Sequence, residues 1–417
     1  MQKLFFTLYS LFLLSFVVHS QSNLELTVEE ADNLFLSQNL NLLAQHYDIE
    51  KSEAMLVQAG LFENPTVSYE QIVRDKEMSR YFNTAYQYAV EIEQVLYLTG
   101  KRGKQKEIER YNIEIARQEF EMTLRELKYV LHSTLIEAGY ARKSIAVFDE
   151  EIESLDRLIQ VYEEQYRKGN VSLIEKSRLK ALFFALKTEQ LEYINKLNDM
   201  QKQLRLLLNL KSEVTVIPNL GEPMIESIRI GSDFDQLLAN HPQLRIAELH
   251  IQQEKANLSL QKQLRIPDIA VKGMFDKASN VALNYVGIGI AIGLPIFNRN
   301  QGNIKAAAAQ LAQNKLNHQY AVNEVTAEFE AKFTNLKLLY SFYAGIDKSL
   351  EKNFSDLIAG VNLSFGKQNI NMLEFIDYYE TYKDTCLKLY ENETKLLTGA
   401  EEINMLIGND YIKLWSK

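Results

Sequence analysis

Side chains that can bind metal ions or transfer protons are scattered along this 417-residue sequence. The histidines beyond the N-terminal segment show no spacing typical of metal ligands. They are His46, His132, His241, His250 and His318. The single cysteine, Cys386, cannot form a disulfide within the chain, and the methionines are dispersed. The sequence therefore predicts no metal centre, no cofactor and no catalytic site.

Two glycine-containing segments superficially resemble phosphate-binding loops. Gly287-x-Gly289 lies within a two-residue alternation and is followed by Pro295 where a dinucleotide-binding helix should begin. Gly100-Lys101 lacks the glycine that a phosphate loop needs at position 95, where the sequence has Val95. A nucleic-acid partner is also excluded, because the net charge is −9 and phosphate binding needs clustered cations.

The carboxylates in the most informative positions follow two short turns between long helical segments. Glu175 follows the first turn and Glu374 the second. Asp377 lies three residues beyond Glu374 and therefore on the same helical face. These acids either line a passage or are solvated residues that favour the positive end of a helix.

The elements that position these carboxylates occur twice in the chain. Pro65 and Pro267, about 200 residues apart, each follow a helical pattern and precede an alternating strand pattern. Segments 166–175 and 365–374 match at nearly the same offset. We therefore predict two structural repeats, 21–210 and 234–417, each with a helix, a β-hairpin and a long helical pair. A connector rich in proline and glycine, 211–233, joins them.

Each predicted hairpin contains a strand with one apolar face. Large apolar residues alternate with polar or small ones around positions 86–93 and 286–293. The apolar residues are Tyr86, Tyr88, Val90 and Ile92 in the first half, and Val286, Ile288, Ile290 and Ile292 in the second. This alternation fits a strand between lipid and water, but it fits a soluble sheet with one buried face equally well.

Helical periodicity accounts for most of the remaining chain. A first helix is predicted from Leu26 to Leu61, ending before Pro65. The longer helical segments exceed the usual globular length and indicate coiled-coil packing. They run over 101–165, 173–210, 302–365 and 372–407.

The first twenty residues have the pattern of a secretory signal peptide. Lys3 precedes an apolar core from Leu4 to Val18, and small residues lie near a cleavage point. A membrane anchor is the alternative, although the apolar run is short for a spanning helix. No cysteine at the cleavage point can carry a lipid. Beyond residue 20 no long apolar run occurs, so a membrane could be crossed only by strands of a closed barrel.

Together these features resemble the TolC-like outer-membrane efflux family over nearly the whole mature chain. The most specific motifs are Tyr166-x-x-Gly169-Asn170-x-x-x-x-Glu175 with its copy from Phe365 to Glu374, and Leu207-Leu208-Asn209 with Leu406-Ile407-Gly408. The run from Leu294 to Asn298 is also typical of the family. The copy has Gln368 where the first motif has Gly169. The resemblance implies a mainly α fold in which a homotrimer forms an α-helical barrel and a twelve-stranded β-barrel. Each subunit would contribute four strands.

The resemblance also implies a function. The chain would be the outer-membrane channel of a tripartite efflux system, extending into the periplasm and surrounded by outer-membrane lipid. Its partners would be a periplasmic adaptor (membrane fusion) protein and an inner-membrane pump of the RND type. The Leu98–Arg102 segment resembles the branch that serves cobalt, zinc and cadmium efflux. Drug efflux and type I secretion remain alternatives, and a soluble periplasmic coiled-coil adaptor or scaffold is a second one.

Site residues follow from the same resemblance. Acidic residues ring the periplasmic gate of this family, which implies that role for Glu374 and Asp377, and less strongly for Glu175. The turns at the helical tip would include Gly169, Asn170, Lys367 and Asn369. The apolar strand residues named above would face lipid.

Overall fold

The computed structural model describes residues 22–75, 80–81, 87–225, 241–279, 282–347, 350–367, 369–408 and 411–415. The predicted signal peptide, Tyr86 and Gln368 lie outside these ranges. The helices are α1 Val28–Gln38, α2 Leu40–Ala59, α3 Lys101–Arg167, α4 Leu173–Leu207, α5 Pro242–Gln263, α6 Gln301–Ala344, α7 Leu350–Gly366 and α8 Met372–Ile407. The strands are β1 Ser22–Thr27, β2 Thr66–Gln71, β3 Arg74–Asp75, β4 Arg80–Tyr81, β5 Tyr88–Leu96, β6 Val214–Asn219, β7 Ile269–Ala278 and β8 Leu283–Ile292.

The first predicted helix is interrupted and begins later than its periodicity suggested. Leu26 lies in β1, and Thr27 begins α1 with a capping box closed by Glu30. Asn39 separates α1 from α2 because its backbone is extended and its side chain is used twice. The side-chain amide donates to the Leu207 carbonyl at 2.8 Å, and its oxygen accepts from the Leu42 N–H at 2.9 Å. The prediction of one helix from Leu26 was therefore wrong.

The long helices form largely where they were predicted. α3 is continuous over 67 residues, which fits a segment without proline or turn residues. The predicted helix 302–365 instead divides into α6 and α7. At the end of α6, Gly345 and Ile346 donate to carbonyls three residues back, which tightens the chain out of the α-helical pattern. Both α4 and α8 end at a left-handed residue, Asn209 (φ 50°) and Gly408 (φ 82°).

A four-stranded antiparallel sheet combines strands from both halves of the sequence, in the order β2-β5-β7-β8. Its central contact pairs β5 of the first half with β7 of the second, Ala89 to Leu96 against Asp276 to Ile269. Strands β2 and β8 are the edges. A separate short ladder joins β3 to β4.

A second, parallel pairing joins β1 to β6, and β6 lies within the predicted connector. Gln201 of α4 positions β6 by exchanging two hydrogen bonds with Val216, at 2.7 and 2.8 Å. This pairing was not predicted, because six residues on each side are too few to give a strong alternation.

Two compact units divide the chain. The first contains residues 1–43, 123–238 and 327–417, and the second contains residues 44–122 and 239–326. The first unit buries leucine and isoleucine from α3, α4 and α8, including Leu131, Leu135, Leu204, Leu396 and Ile403. The second contains the four-stranded sheet. None of the helices within the described ranges has a stretch long and apolar enough to cross a membrane.

Candidate functional site

The four-stranded sheet has an apolar face that the register extends across all four strands. In an antiparallel sheet, residues paired directly opposite each other lie on the same face. Val90 pairs with Phe275, which pairs with Val286, and Ile92 is joined to Ile288 through Gly273. The predicted apolar residues of β5 and β8 therefore share one face. Ile288 is 86% exposed, and the neighbouring side chains of β8 are also exposed: they are Val286, Ile290 and Ile292. Tyr88 is half-buried against Tyr69 and Phe275.

The opposite face of the sheet carries charged residues and glycines. Lys272 of β7 lies between two glutamates of β5, with its ammonium 2.9 Å from Glu91 and 2.5 Å from Glu93. Opposite Lys272 on β8 is Gly289. The Tyr285 ring covers Gly287, where an added Cβ would lie 2.7 Å from a ring carbon. The sheet therefore has one apolar face and one face with fixed charges.

The Leu98–Arg102 segment forms the junction between the sheet and α3. The buried Lys101 ammonium donates to the Ile266 carbonyl and to the Asp268 carboxylate, both at 2.7 Å. These partners precede β7, so Lys101 joins the end of one hairpin to the beginning of the other. Arg102 lies over the Phe62 ring at 3.6 Å. The structure thus gives this segment a positioning role in the sheet.

The two turns between the long helices have matching backbone hydrogen bonds. In the first turn, Gly169 has φ 78°, and the Asn170 N–H donates to the Gln165 carbonyl at 3.0 Å. In the second, the Asn369 N–H donates to the Ser364 carbonyl at 2.9 Å. This bond spanning five residues is typical of a Schellman ending, in which glycine supplies the left-handed conformation. Lys367 is exposed just after α7.

Both predicted gate glutamates close capping boxes. Glu175 accepts from the Ser172 N–H and hydroxyl at 2.8 and 2.7 Å, and Glu374 accepts from the Asn371 N–H at 2.9 Å. In return, each cap side chain accepts from the N–H of its glutamate. The hydrogen bonds from Ser172 lower the pKa of Glu175. Helix capping therefore accounts for the positions of these two glutamates.

Asp377 and the basic residues of the tip have different environments. Asp377 is exposed one turn beyond Glu374, and it is not needed to cap α8. Lys168, just after α3, pairs with Glu164 of that helix at 2.7 Å, whereas Lys180 of α4 pairs with Glu163 of α3. Carboxylates and lysines thus alternate on the exposed surface near the first turn.

Beneath the second turn, aromatic residues pack α7 against α8. Phe375 lies 4.5 Å from Phe365 and 4.6 Å from Tyr379, centroid to centroid. The Tyr379 hydroxyl donates to Asn362 of α7 at 2.7 Å and lies 2.9 Å from the Ser154 hydroxyl of α3. Three helices are therefore joined at one phenol.

A buried histidine joins three further segments. The His132 ring of α3, 4% exposed, lies 2.8 Å from Asp32 of α1 and 3.1 Å from Glu401 of α8. Burial alone lowers the pKa of His132, but the two carboxylates raise it overall to about 9. The Trp415 N–H also donates to Glu401. We call His132, Asp32 and Glu401 the histidine clasp.

A second buried charge cluster lies on the same helix, closer to the tip. Glu151 of α3 and Lys383 of α8 are both buried, and the Lys383 ammonium is 2.7 Å from Glu189 of α4. Within the described ranges, no three His, Cys, Asp or Glu side chains lie close enough to hold a metal ion.

Sequence reasoning missed these buried charges, although a signal was present. His132 directly follows Leu131, and Glu151 lies between Phe148 and Ile152, so both fall within the apolar periodicity of α3. A charged residue in such a stripe must be paired or neutralised. The capping boxes also have a sequence signature, a serine or asparagine followed three residues later by glutamate.

Comparison with known proteins shows which proteins this chain resembles. Residues 234–341 match the model of the family described as outer membrane efflux protein. The cobalt-zinc-cadmium resistance protein CzcC of Cupriavidus metallidurans is 23% identical over 305 residues, which cover 72% of this chain and 70% of that protein.

Solved structures extend the likeness to nearly the whole chain. The outer membrane channel CmeC of Campylobacter jejuni superimposes with a TM-score of 0.74 at 14% identity, covering 91% of this chain and 85% of CmeC. CusC, described as forming a transmembrane channel, gives a TM-score of 0.73 at 15% identity and covers 92% of both chains.

The chain thus has the fold of the TolC-like channels, and the resemblance seen in the sequence is confirmed. The family model and the relative CzcC agree that the chain is similar to outer membrane efflux proteins.

Proposed function

We propose that this chain is the passive exit duct of a tripartite efflux system, receiving substrates from an inner-membrane pump through a periplasmic adaptor. The observation that carries the proposal is the four-stranded sheet, whose apolar face is exposed and whose opposite face bears fixed charges. Lipid on the apolar side and water on the charged side satisfy both faces. A secretory signal over residues 1–20, cleaved before insertion, fits delivery to the outer membrane.

The proposed oligomer is a homotrimer. Strands β2 and β8 lie at the edges of the sheet, and unpaired backbone groups at an edge are costly in lipid. Three copies of four strands give the twelve-stranded barrel that the family resemblance implies. Each half of the chain would contribute one hairpin, in keeping with two repeats at 21–210 and 234–417 joined by the connector 211–233.

Crosslinking in native outer membranes tests this assembly. We expect an amine-reactive crosslinker to give trimers as the largest discrete species, because only a closed set of strands leaves no edge in lipid. Denatured protein treated in the same way is the control and should give monomers. A crosslinked sample that contains only monomers would rule out the trimer.

At the periplasmic end, the proposed gate consists of Glu374 and Asp377, with Glu175 in a lesser role. All three are exposed at or near the turns between long helices. Repetition around a threefold axis would bring their carboxylates together. Crowded carboxylates repel one another and attract cations, which favours cation entry into a narrow passage. Helix capping already accounts for the positions of Glu175 and Glu374. Asp377 has no capping function, so its position gives the stronger support for the gate.

Single-channel recording in planar bilayers tests the gate. Replacing Glu374 with Gln and Asp377 with Asn together should weaken cation selectivity and block by multivalent cations, because the fixed negative charge is removed. Glutamine can still accept the capping hydrogen bond, so α8 should begin normally. The Glu175→Gln variant removes the same charge from the same capping position in the first half and should change selectivity less. Unchanged selectivity and block in an assembled double variant would contradict the acidic ring.

Divalent metal cations are the proposed cargo. CzcC is named for cobalt, zinc and cadmium resistance, and it matches most of this chain. Drug efflux and type I secretion are the alternatives. A strain lacking this protein should become sensitive to these metals and recover with the intact gene. Sensitivity confined to bile salts and drugs would support the drug-efflux alternative, and a defect only in protein secretion would support the other.

A further inference from the structure

The core near the helical tip contains a carboxyl group without a hydrogen-bond partner. Glu151 is 2% exposed, and neither of its oxygens has a partner among the residues that the structure describes. Its sequence neighbours Phe148 and Ile152 belong to a cluster of buried apolar side chains from α3, α4 and α8, which also contains Leu155, Leu179, Leu186 and Met372. An ionised carboxylate is costly in such surroundings unless it is paired.

The cation that faces Glu151 is already bound to another acid. Lys383, 7% exposed, has its ammonium 2.7 Å from Glu189 of α4 and 3.6 Å from Asp384 of α8. Glu189, Asp384 and Glu380 of α8 also act on Glu151, and all three are acidic. The charge of Glu151 also raises the pKa of the Tyr379 phenol on α8. Three carboxylates and one ammonium, that of Lys383, therefore act on Glu151.

Burial is the largest influence on this carboxyl. It raises the pKa of Glu151 to about 8, against a smaller opposite effect of Lys383. The neutral form therefore predominates at pH 7. The folded-state pKa of Glu151 lies above the ordinary value of 4.5. The contribution of this carboxyl to the stability of the fold is therefore fully present below about pH 4.5 and is lost as the pH rises through about 8.

We propose that Glu151 is a proton-operated switch that controls how tightly α3 packs against α8 next to the helical tip. When protonated, it packs within the apolar cluster. When ionised, it needs water or the Lys383 ammonium, and either draws Lys383 away from Glu189 or opens the core. The same cluster includes Met372, the first residue of α8 after the tip turn. Ionisation therefore loosens the tip, and this coupling to channel opening rests on the function proposed above.

The native cysteine provides a test that does not depend on conduction. Cys386 is buried on α8, one turn beyond Lys383. We expect a maleimide to label Cys386 in the full-length protein several-fold faster than in the Glu151→Gln variant at pH 9, and at equal rates at pH 6. Comparing the variants at the same pH cancels the ionisation of the thiol itself. The exposed neighbour provides the control, because Glu150→Gln should behave as the unaltered protein does. Equal labelling of all three proteins at both pH values would overturn the switch.

Recording in planar bilayers then tests the coupling to opening. Raising the pH on the periplasmic side from 6 to 9 should increase the open probability of the unaltered protein and of Glu150→Gln, and should leave Glu151→Gln unchanged. Labelling that depends on pH together with an open probability that does not would overturn the coupling. A protein that never conducts would instead contradict the exit-duct function, and the labelling result would still decide whether the switch exists.

Discussion

Replacing His132 with alanine should lower the free energy of unfolding by about 3 kcal/mol, because the carboxylates of Asp32 and Glu401 then lose the buried cation that faces them. The variant loses the hydrogen bond to Asp32 and the ion pair with Glu401 at once. Lys128, 3.3 Å from Asp32, and the Trp415 N–H remain, which keeps the cost at the lower end for such a loss. Denaturant unfolding of the detergent-solubilised protein measures the effect.

A matched histidine serves as the control for this experiment. His46 also lies near a carboxylate, 3.6 Å from Glu50, but both side chains are exposed. The His46→Ala change should cost less than about 0.5 kcal/mol, as exposed pairs contribute little. Equal losses in the two variants would show that the histidine clasp contributes nothing particular to stability.

The pH dependence of the histidine clasp has a defined sign. The folded-state pKa of His132, about 9, lies above its ordinary value of 6.5. The imidazolium therefore contributes its full stabilisation below pH 6.5, and the contribution is lost as the pH rises through about 9. The stability difference between the unaltered protein and His132→Ala should narrow over this range. A difference that stayed constant from pH 6 to pH 10 would mean that the ring is not charged in the folded protein.

Replacing Ile288 with arginine should cost about 2–4 kcal/mol if this position lies near the bilayer midplane, because a charge then faces lipid. The exposure of Ile288 on the apolar face of β8 motivates the choice. Heat-modifiable migration and protease resistance of the outer-membrane fraction report insertion and folding.

A substitution at the neighbouring Gly289 serves as the control, because this residue lies in the same strand but on the charged face of the sheet. Gly289 lies opposite Lys272 on the charged face, and an added Cβ would lie 3.8 Å from the lysine side chain, an ordinary contact. Gly289→Ser should therefore insert and fold nearly normally. If the Ile288→Arg protein also inserts and folds normally, the assignment of the apolar face to lipid is wrong.

Periodic elements could be predicted from the sequence, whereas their partners could not. The alternation of β5 and β8 and the long helices α3, α4 and α8 were predicted because each repeats one pattern over many residues. That the apolar residues of β5 and β8 share a face depends on β7, whose Ile269, Val271 and Phe275 complete the register between them. Such pairing is a long-range property that no local pattern contains.

In the candidate site, too, local features could be predicted from the sequence and long-range contacts could not. The turns at Gly169 and Asn369 were predicted from the motif and its copy. The capping role of Glu175 and Glu374 could have been predicted from the residues three positions earlier. The surroundings of His132 and Glu151 could not be predicted. Asp32 lies 100 residues before His132, and Glu401 and Lys383 belong to the other half of the chain.

The pairing of β5 with β7 has a consequence for biogenesis. Strand β5 can pair with β2 early, but its partners in β7, residues 269–276, come much later in the chain. In the proposed export route, the first hairpin therefore waits with an apolar face and an open edge for most of the chain to follow. Contacts of such large sequence separation form slowly and expose aggregation-prone strands in the interval. In the proposed export route, productive folding therefore requires the first half to stay soluble until β7 has been delivered.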